Sequence, residues 1–267
     1  MAKNRWITSR LRALQPRLRL YCFPYAGRGA SMYAGWGSAF GPDVEVCPVQ
    51  LPGREDRLSE PLAHRMTQLV DGFLADVGGE LSSAPFAFFG HSMGGVVAYE
   101  IARRLQVSGA RGPELLFVSA SEPPNTKKDD DKTYQLSDAD FVAELRRWNG
   151  TPELVLRDPA LLKILLPILR ADLEVLDHYA VPASPSTALG CPIVAFGGTR
   201  DHDLTREDLC RWRDYTRAAF DLHILDGNHF FINVKAARVQ GVIGAELSEL
   251  SAARAVAGRR VAAGSSF

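Results

Sequence analysis

Short apolar runs alternate along this chain with longer stretches in which apolar residues recur every three or four positions. The runs have the length of buried strands, and the recurring pattern is typical of helices that bury one face. Strands that alternate with helices predict a mainly parallel sheet flanked by helices, which is an α/β fold. The predicted order is strand 18–23, helix 31–40, strand 44–49, helix 65–79, strand 86–89, helix 93–107, strand 115–119, an insertion, strand 191–196, helix 205–219, strand 221–225 and helix 231–250.

The insertion, residues 122–186, is longer than a connecting helix requires. The stretches 138–148 and 159–179 have helical patterns, and the second is too apolar for a helix with one buried stripe. The charged run Lys127–Lys132 predicts an exposed loop. Because lids exclude water and control access to a site, we interpret residues 122–186 as a helical lid insertion. An extra helical layer packed on the core is the alternative.

The two ends of the chain differ from its middle. Residues 1–19 contain six Lys or Arg and no acid, so residues 1–17 are predicted to form a basic surface arm. A docking element for an acidic carrier protein is the alternative interpretation of this arm. The core is predicted to comprise 18–121 and 187–250, and the small and polar residues 251–267 a flexible tail.

Composition narrows the possible environments and partners. A formal net charge of zero over 267 residues gives no overall field that would favour nucleic acid or an anionic membrane. The four cysteines show no metal-binding or redox spacing, which fits a reducing cytoplasm and predicts no metal site. No apolar run reaches the roughly 20 residues that span a bilayer. We expect a cytoplasmic protein, and a monomer.

The stretch Gly90-His91-Ser92-Met93-Gly94 matches G-x-S-x-G, a strand-to-helix turn that presents a nucleophilic serine. An apolar strand pattern precedes it and a helix pattern follows it. Glycine at both flanking positions suits a turn that has no room for a Cβ beside the nucleophile. A serine that caps the helix is the alternative.

A nucleophilic serine needs a base, and in this type of fold the acid and the base follow it along the chain. His229 lies in a loop just after the last predicted strand and is the candidate base. Asp201 follows the strand 191–196 and is the candidate acid. Asp203 is the alternative acid, and its other interpretation is a helix cap. His91 is expected beside the nucleophile, and His178 lies in the insertion. The candidate pocket residues are Tyr25, Arg28, His91 and His178.

Two backbone N–H groups are needed to stabilise the oxyanion of acyl transfer. One should belong to Met93, which follows the nucleophile, and the other to the loop after the first strand. In that loop, which reads Pro24-Tyr25-Ala26-Gly27-Arg28-Gly29, Ala26 is the first candidate and Tyr25 the next. An ordinary glycine-rich turn is the alternative.

These motifs together resemble those of type II thioesterases, the free-standing editing thioesterases of polyketide and nonribosomal peptide synthases. The resemblance covers roughly residues 18–245 and implies the α/β-hydrolase fold. It rests on five motifs in the same order: Phe23-Pro24-Tyr25-Ala26-Gly27, Val49-Gln50-Leu51-Pro52-Gly53-Arg54-Glu55, Gly90-His91-Ser92-Met93-Gly94, Gly198-x-x-Asp201 and Gly227-Asn228-His229-Phe230-Phe231. Arg28 and Asn228 stand where the family usually has glycine. Arg28 therefore either places a cation at the pocket mouth or points into solvent.

The resemblance implies a catalytic triad of Ser92, Asp201 and His229, with Ala26 and Met93 as oxyanion donors. It further implies hydrolysis of acyl groups carried on the phosphopantetheine of an acyl or peptidyl carrier protein, with no metal or organic cofactor, to remove stalled or aberrant units. Two alternatives remain open on the same fold. One is a general carboxylester hydrolase or a free-standing chain-releasing acyltransferase, and the other is a non-catalytic carrier-binding protein.

Overall fold

Six parallel strands form one sheet in the order β2-β1-β3-β4-β5-β6. The computed structural model describes residues 4–7, 16–125, 132–181 and 187–264, with the backbone alone from 253 onwards. The predicted mainly parallel α/β sheet is confirmed. The strands are β1 Leu18–Phe23, β2 Val44–Pro48, β3 Phe86–His91, β4 Leu116–Ser119, β5 Ile193–Gly198 and β6 Phe220–Leu225.

Helices cover both faces of this sheet, which is why its central strands are apolar on both sides. All six residues of β3 are buried. One hydrophobic cluster contains residues of the first two helices, and a second cluster on the other face contains residues of the last helix. The helices are α1 Met66–Ser83, α2 Met93–Val107, α3 Asp138–Trp148, α4 Glu153–Leu156, α5 Pro159–Asp177, α6 Arg206–Cys210 and α7 Ile232–Gly264.

Three predicted helices differ from the observed ones. The stretch predicted as helix 31–40 forms two 3-10 turns instead, Ala30–Tyr33 and Trp36–Ala39, and the glycine at its centre weakens any longer helix. The helix predicted over 205–219 is divided into α6 and a 3-10 segment. The backbone of α7 stays helical to Gly264, beyond the predicted end at 250 and into the segment predicted as a flexible tail.

Two apolar residues of the predicted basic arm, Trp6 and Ile7, are packed against the core. Trp6 is only 4% exposed, its ring meets Phe73 edge-on, and the guanidinium of Arg57 lies 4.7 Å above it. The carbonyl of Trp6 also accepts a hydrogen bond of 2.8 Å from the N–H of Gln50. Trp6 and Ile7 are therefore part of the core, whereas the basic side chains of Arg5 and Arg17 lie at the surface. Residues 1–3 and 8–15 lie outside the described residues.

Helices α3, α4 and α5 form the predicted insertion and share a small hydrophobic cluster of their own. The two ends of the insertion meet at a pair of reciprocal hydrogen bonds. The side-chain amide of Asn125 donates to the carbonyl of Val181 over 2.7 Å, and its oxygen accepts from the N–H of Val181 over 2.9 Å. The predicted charged loop at 127–132 lies almost wholly outside the described residues. Over the described ranges, no helix combines the length and the apolar character needed to cross a bilayer.

Candidate active site

The site lies at the carboxyl ends of β1 and β3, where the strand order reverses. From β1 the chain moves outward to β2, and then returns to form β3 on the other side of β1. Parallel sheets place their ligands in the crevice at such a switch point. Because Phe23 and Gly90 are register partners, the loop after β1 and the turn after β3 are neighbours in space.

Ser92 occupies the single residue between β3 and α2, with φ 50° and ψ −120°. Residues with a Cβ rarely adopt this backbone conformation, which costs of order 1–3 kcal/mol. Ser92 stands at the N-cap position, but its side chain makes no capping hydrogen bond. The structure therefore disagrees with the alternative of a capping serine.

The glycines beside Ser92 are required by close backbone contacts. A Cβ at Gly90 would lie 2.1 Å from the carbonyl oxygen of Gly94, and a Cβ at Gly94 would lie 2.2 Å from that of Phe23. The N–H of Ser92 donates to the carbonyl of Ser119 on β4 over 2.7 Å. These contacts hold the turn against the sheet and fix the position of the serine.

Asp201 and His229 are brought together by the loops that follow β5 and β6. The Nδ1 of His229 lies 2.8 Å from Oδ2 of Asp201, whose side chain is 1% exposed. The other oxygen, Oδ1, accepts the N–H groups of Asp203 and Leu204 over 3.1 and 3.2 Å. The carboxylate is thus held by its own loop, with one oxygen left to orient the imidazole.

Asp203, the alternative acid, pairs with Arg147 rather than with His229. Its side chain is 51% exposed and its Oδ1 lies 3.5 Å from the Arg147 guanidinium. It does not cap α6 either, since that helix is capped by the side chain of Thr205. The geometry therefore favours Asp201 as the partner of His229.

His91 lies behind the site and is fully buried. Its Nδ1 is 2.9 Å from the hydroxyl of Ser119, and its Nε2 is 3.0 Å from the backbone carbonyl of His229. A carbonyl can only accept, so the proton is on Nε2 and the Ser119 hydroxyl donates to Nδ1. Burial, together with the nearby charge of His229, holds the pKa of His91 well below its usual range. His91 is therefore neutral and anchors the backbone of the loop that carries His229.

The loop after β1 makes a tight turn at residues 25–28. The N–H of Arg28 donates to the carbonyl of Tyr25 over 3.0 Å, and Gly27 has φ 79°. A turn in which only the third residue has a positive φ is a type II turn, and glycine is favoured at that position. Across the crevice, Met93 is the first residue of α2, where a helix leaves its N–H without an internal partner. Ala26 and Met93 both border the cavity described next.

One cavity of about 460 Å³ joins these groups to the insertion. Ser92, His229, Ala26 and Met93 lie on its core side. Its opposite wall consists mainly of apolar side chains from the insertion, namely Trp148, Leu169, Leu173, Leu176 and Tyr179. The insertion thus covers Ser92 and gives the site an apolar chamber.

The model of the thioesterase domain family matches residues 18–247. The chain belongs to the thioesterase family. Gramicidin S biosynthesis protein GrsT of Aneurinibacillus migulanus is 39% identical to this thioesterase over 229 residues, which are 86% of this chain and 88% of GrsT. The match confirms the family resemblance that the sequence motifs carry.

Solved structures agree with this assignment. The RedJ thioesterase of the prodiginine pathway in Streptomyces coelicolor aligns with a TM-score of 0.80 at 38% identity, over 86% of this chain and 91% of RedJ. The type II thioesterase BorB of the borrelidin biosynthetic cluster aligns with a TM-score of 0.80 at 33% identity, over 90% of this chain and 96% of BorB. The predicted α/β-hydrolase fold is confirmed, and the protein is a thioester hydrolase by family.

Of the four predicted pocket residues of this thioesterase, only Tyr25 lines the cavity. Its ring packs edge-on against those of His91 and Phe230. His91 lies behind the wall, as described above. His178 does not border the cavity, because its Nδ1 lies 2.6 Å from the guanidinium of Arg65 at the edge of the insertion.

Arg28 was expected either at the mouth of this pocket or in solvent. It borders a second cavity on the other side of the loop after β1, and its carbonyl accepts a hydrogen bond of 3.4 Å from Arg54. Tyr25 and Ala26 border both cavities, whereas Arg28 borders only the second. Arg28 therefore places no cation beside Ser92.

The sequence interpretation missed a buried ion pair of the thioesterase between Arg54 and Asp172. Arg54 belongs to one of the family motifs, but no role was assigned to it. The available signal was Asp172 itself, an acid among the apolar residues of α5. Charged residues are seldom fully buried unless they are paired, so such an acid predicts a buried partner.

The sequence interpretation also missed one group of potential metal ligands, because one of these residues is far along the chain from the other two. Potential ligand atoms of Asp221, His223 and Glu246 lie within 4.8 Å of one another at the β6 edge of the sheet. Asp221 is exposed and the other two are partly exposed. None of them borders the cavity that contains Ser92.

Proposed function

We propose that this thioesterase hydrolyses short acyl groups from the phosphopantetheine arm of carrier proteins and removes stalled or aberrant units in a polyketide or nonribosomal peptide pathway. The observation that carries the proposal is the cavity in which Ser92 and His229 face the apolar wall of the insertion. A volume of about 460 Å³ lies within the usual range of small-ligand sites. The names of GrsT and BorB support a role in such a pathway.

The proposed first step is attack by the Ser92 hydroxyl on the thioester carbonyl. The Nδ1–H of His229 donates to Asp201, so its Nε2 carries no proton and accepts the one from Ser92. Negative charge collects on the former carbonyl oxygen, where the N–H groups of Ala26 and Met93 are proposed to stabilise it. The imidazolium returns the proton to the leaving sulfur, which departs as the free thiol.

The second step releases the acid. Water enters, loses a proton to His229 and attacks the acyl-serine ester, and the imidazolium then protonates the departing Ser92 oxygen. Every proton in the cycle moves between protein groups, substrate and water. The proposed reaction therefore uses no metal or organic cofactor.

The test is hydrolysis of a short acyl group on a phosphopantetheinylated carrier protein by the wild type and by Ser92→Ala. The matching oxygen ester is measured in parallel. Rapid, Ser92-dependent release from the carrier with slow cleavage of the ester supports the proposal. Slow release from the carrier with rapid cleavage of the ester would instead make the protein a general carboxylester hydrolase.

A further inference from the structure

A buried carboxylate that the proposed reaction does not use lies directly against the oxyanion loop, residues 25–30. Asp172, on α5 of the insertion, has a side chain that is 1% exposed. Its Oδ2 accepts the backbone N–H of Gly27 over 2.7 Å. Gly27 follows Ala26, the proposed oxyanion donor, so an acid of the insertion contacts the turn that forms this part of the site.

Arg54 balances the charge of this acid. Its Nη1 and Nη2 donate to Oδ2 and Oδ1 of Asp172 over 2.5 and 2.8 Å, and its side chain is 4% exposed. The backbone of Arg54 is held in turn by the Gln50 side chain, which also accepts the N–H of Ala30. The oxyanion loop is thus fixed at Gly27 by the insertion and at Ala30 by the segment after β2.

The hydrogen bond to Gly27 favours one of the two turns that this loop could form. Type I and type II turns differ mainly by a flip of the central peptide, which here joins Ala26 to Gly27. In the observed type II turn, the N–H of this peptide points at Asp172. A flipped peptide would present the Ala26 carbonyl oxygen to the same carboxylate, which would repel it. The carboxylate therefore stabilises the observed turn and disfavours the flipped one.

A contribution to the stability of the fold does not by itself explain why a buried ion pair is found here. A buried ion pair is often no more stabilising than apolar side chains of similar volume, because desolvation offsets the attraction. Leu166 and Leu169 of the same helix already bury apolar surface. What an apolar residue at position 172 could not supply is an acceptor for the Gly27 N–H.

We propose that Asp172 is a positioning residue that holds the Ala26–Gly27 peptide in its type II orientation, so that the oxyanion loop has its productive shape when α5 is seated on the core. A Cβ at Gly27 would lie 2.6 Å from Cδ2 of Leu169, so helix and loop are in direct contact. Movement of α5 away from the loop would remove the acceptor. The inference rests on the proposed function, through the role of Ala26 as a donor.

Two double variants separate the effect of the acceptor for the Gly27 N–H from the effect of the Arg54–Asp172 ion pair. Asp172→Asn with Arg54→Met removes both charges and keeps an amide oxygen for Gly27. Asp172→Leu with Arg54→Met removes both charges and the acceptor. Arg19→Met with Glu45→Gln, which disrupts a partly buried pair at the start of β1 and β2, is the control for a general loss of stability.

The assays are kcat and KM on hexanoyl-N-acetylcysteamine, the rate of Ser92 phosphonylation by a fluorophosphonate, and the thermal midpoint. The Ala26 N–H belongs to the neighbouring Tyr25–Ala26 peptide, so a flip at Gly27 displaces this donor rather than removing it. Loss of a single oxyanion donor lowers kcat by about 10²–10³, and its displacement is expected to cost about 10- to 100-fold. We expect this loss in the double variant that carries Asp172→Leu, with KM changed less than about threefold and slower phosphonylation. The double variant that carries Asp172→Asn and the control pair should lose less than about threefold.

Equal kcat in the two folded Asp172 double variants would overturn the proposal. If the leucine variant does not fold, hydrogen exchange of the Gly27 amide in the wild type decides instead. Protection of that amide supports the proposal, and exchange at the rate of an open loop overturns it. Failure of the proposed function is a separate outcome: the wild type would then cleave the small thioester and react with the fluorophosphonate, but would leave the loaded carrier intact.

Discussion

Replacing Asp201 by Asn should leave the fold intact and remove most of the activity. The two backbone N–H groups that bind Oδ1 have to face an oxygen, so the new amide nitrogen must take the position of Oδ2. That nitrogen would then lie about 2.8 Å from Nδ1 of His229. Because an amide nitrogen only donates, Nδ1 must accept and the imidazole proton moves to Nε2.

A proton on Nε2 prevents His229 from accepting the one on Ser92. The equivalent change in a serine protease triad lowers kcat about 10⁴-fold by this loss of the correct tautomer. We expect a loss of similar size, which corresponds to about 5 kcal/mol of transition-state stabilisation. The assay is hydrolysis of the loaded carrier under single-turnover conditions, with the urea midpoint measured for the same sample.

The matched control is Asp203→Asn in the same loop. Its carboxylate lies 3.5 Å from Arg147 rather than at His229, so the loss should remain below about tenfold. A small effect of Asp201→Asn combined with a large effect of Asp203→Asn would refute the assignment of the acid. A large drop in the urea midpoint of Asp201→Asn would refute the argument that Oδ1 keeps the loop in place.

Three further changes test the surrounding structure. Gly94→Ala should destabilise the fold by about 1–3 kcal/mol or more in urea unfolding, because its Cβ would lie 2.2 Å from the Phe23 carbonyl oxygen. Trp6→Ala should cost about 3–5 kcal/mol in the same assay, since it empties a buried site against Phe73. His91→Gln should reduce the loss of stability on acidification. The native pKa of His91 lies below the unfolded value of about 6.5, so its contribution is complete above that pH and falls below it by up to about 1.4 kcal/mol per pH unit.

Each of these three predictions has a result that would contradict it. Gly78→Ala changes a helical glycine with open space around it and should be neutral or slightly stabilising, so equal effects at Gly94 and Gly78 would contradict the steric argument. A Trp6→Ala variant with wild-type stability would show that the N-terminal segment contributes nothing to the core. For His91, the comparison is unfolding at pH 7 and pH 5.5, and an unchanged difference between the two would contradict the assignment.

The sequence was sufficient where local rules decide the structure. Gly90 and Gly94 marked the turn because only glycine fits the backbone contacts there, and the apolar runs marked the strands because both faces of the sheet are covered. The order of Ser92, Asp201 and His229 along the chain suggested which side chains would meet. The pair between His229 and Asp201 is observed, whereas the catalytic roles remain a prediction.

The sequence was insufficient where distant segments decide the structure. The stretch at 31–40 forms 3-10 turns, although its apolar spacing resembles that of a helix. Trp6 is buried through its contacts with α1 and with Arg57, which lie far along the chain. Asp172 has a partner 118 positions away, and no local pattern connects it to Arg54.

The reciprocal hydrogen bonds between Asn125 and Val181 bear on how this protein can diversify. They bring two residues near the ends of the insertion together, so a change in the length of chain between them need not move the points where the insertion leaves and rejoins the core. The entropy of closing such a loop grows slowly with its length, by about 0.6 kcal/mol per doubling. Insertions of different length and lining can therefore be accommodated at this junction, and the chamber can be reshaped for other acyl groups, as long as an acceptor equivalent to Asp172 still reaches the oxyanion loop.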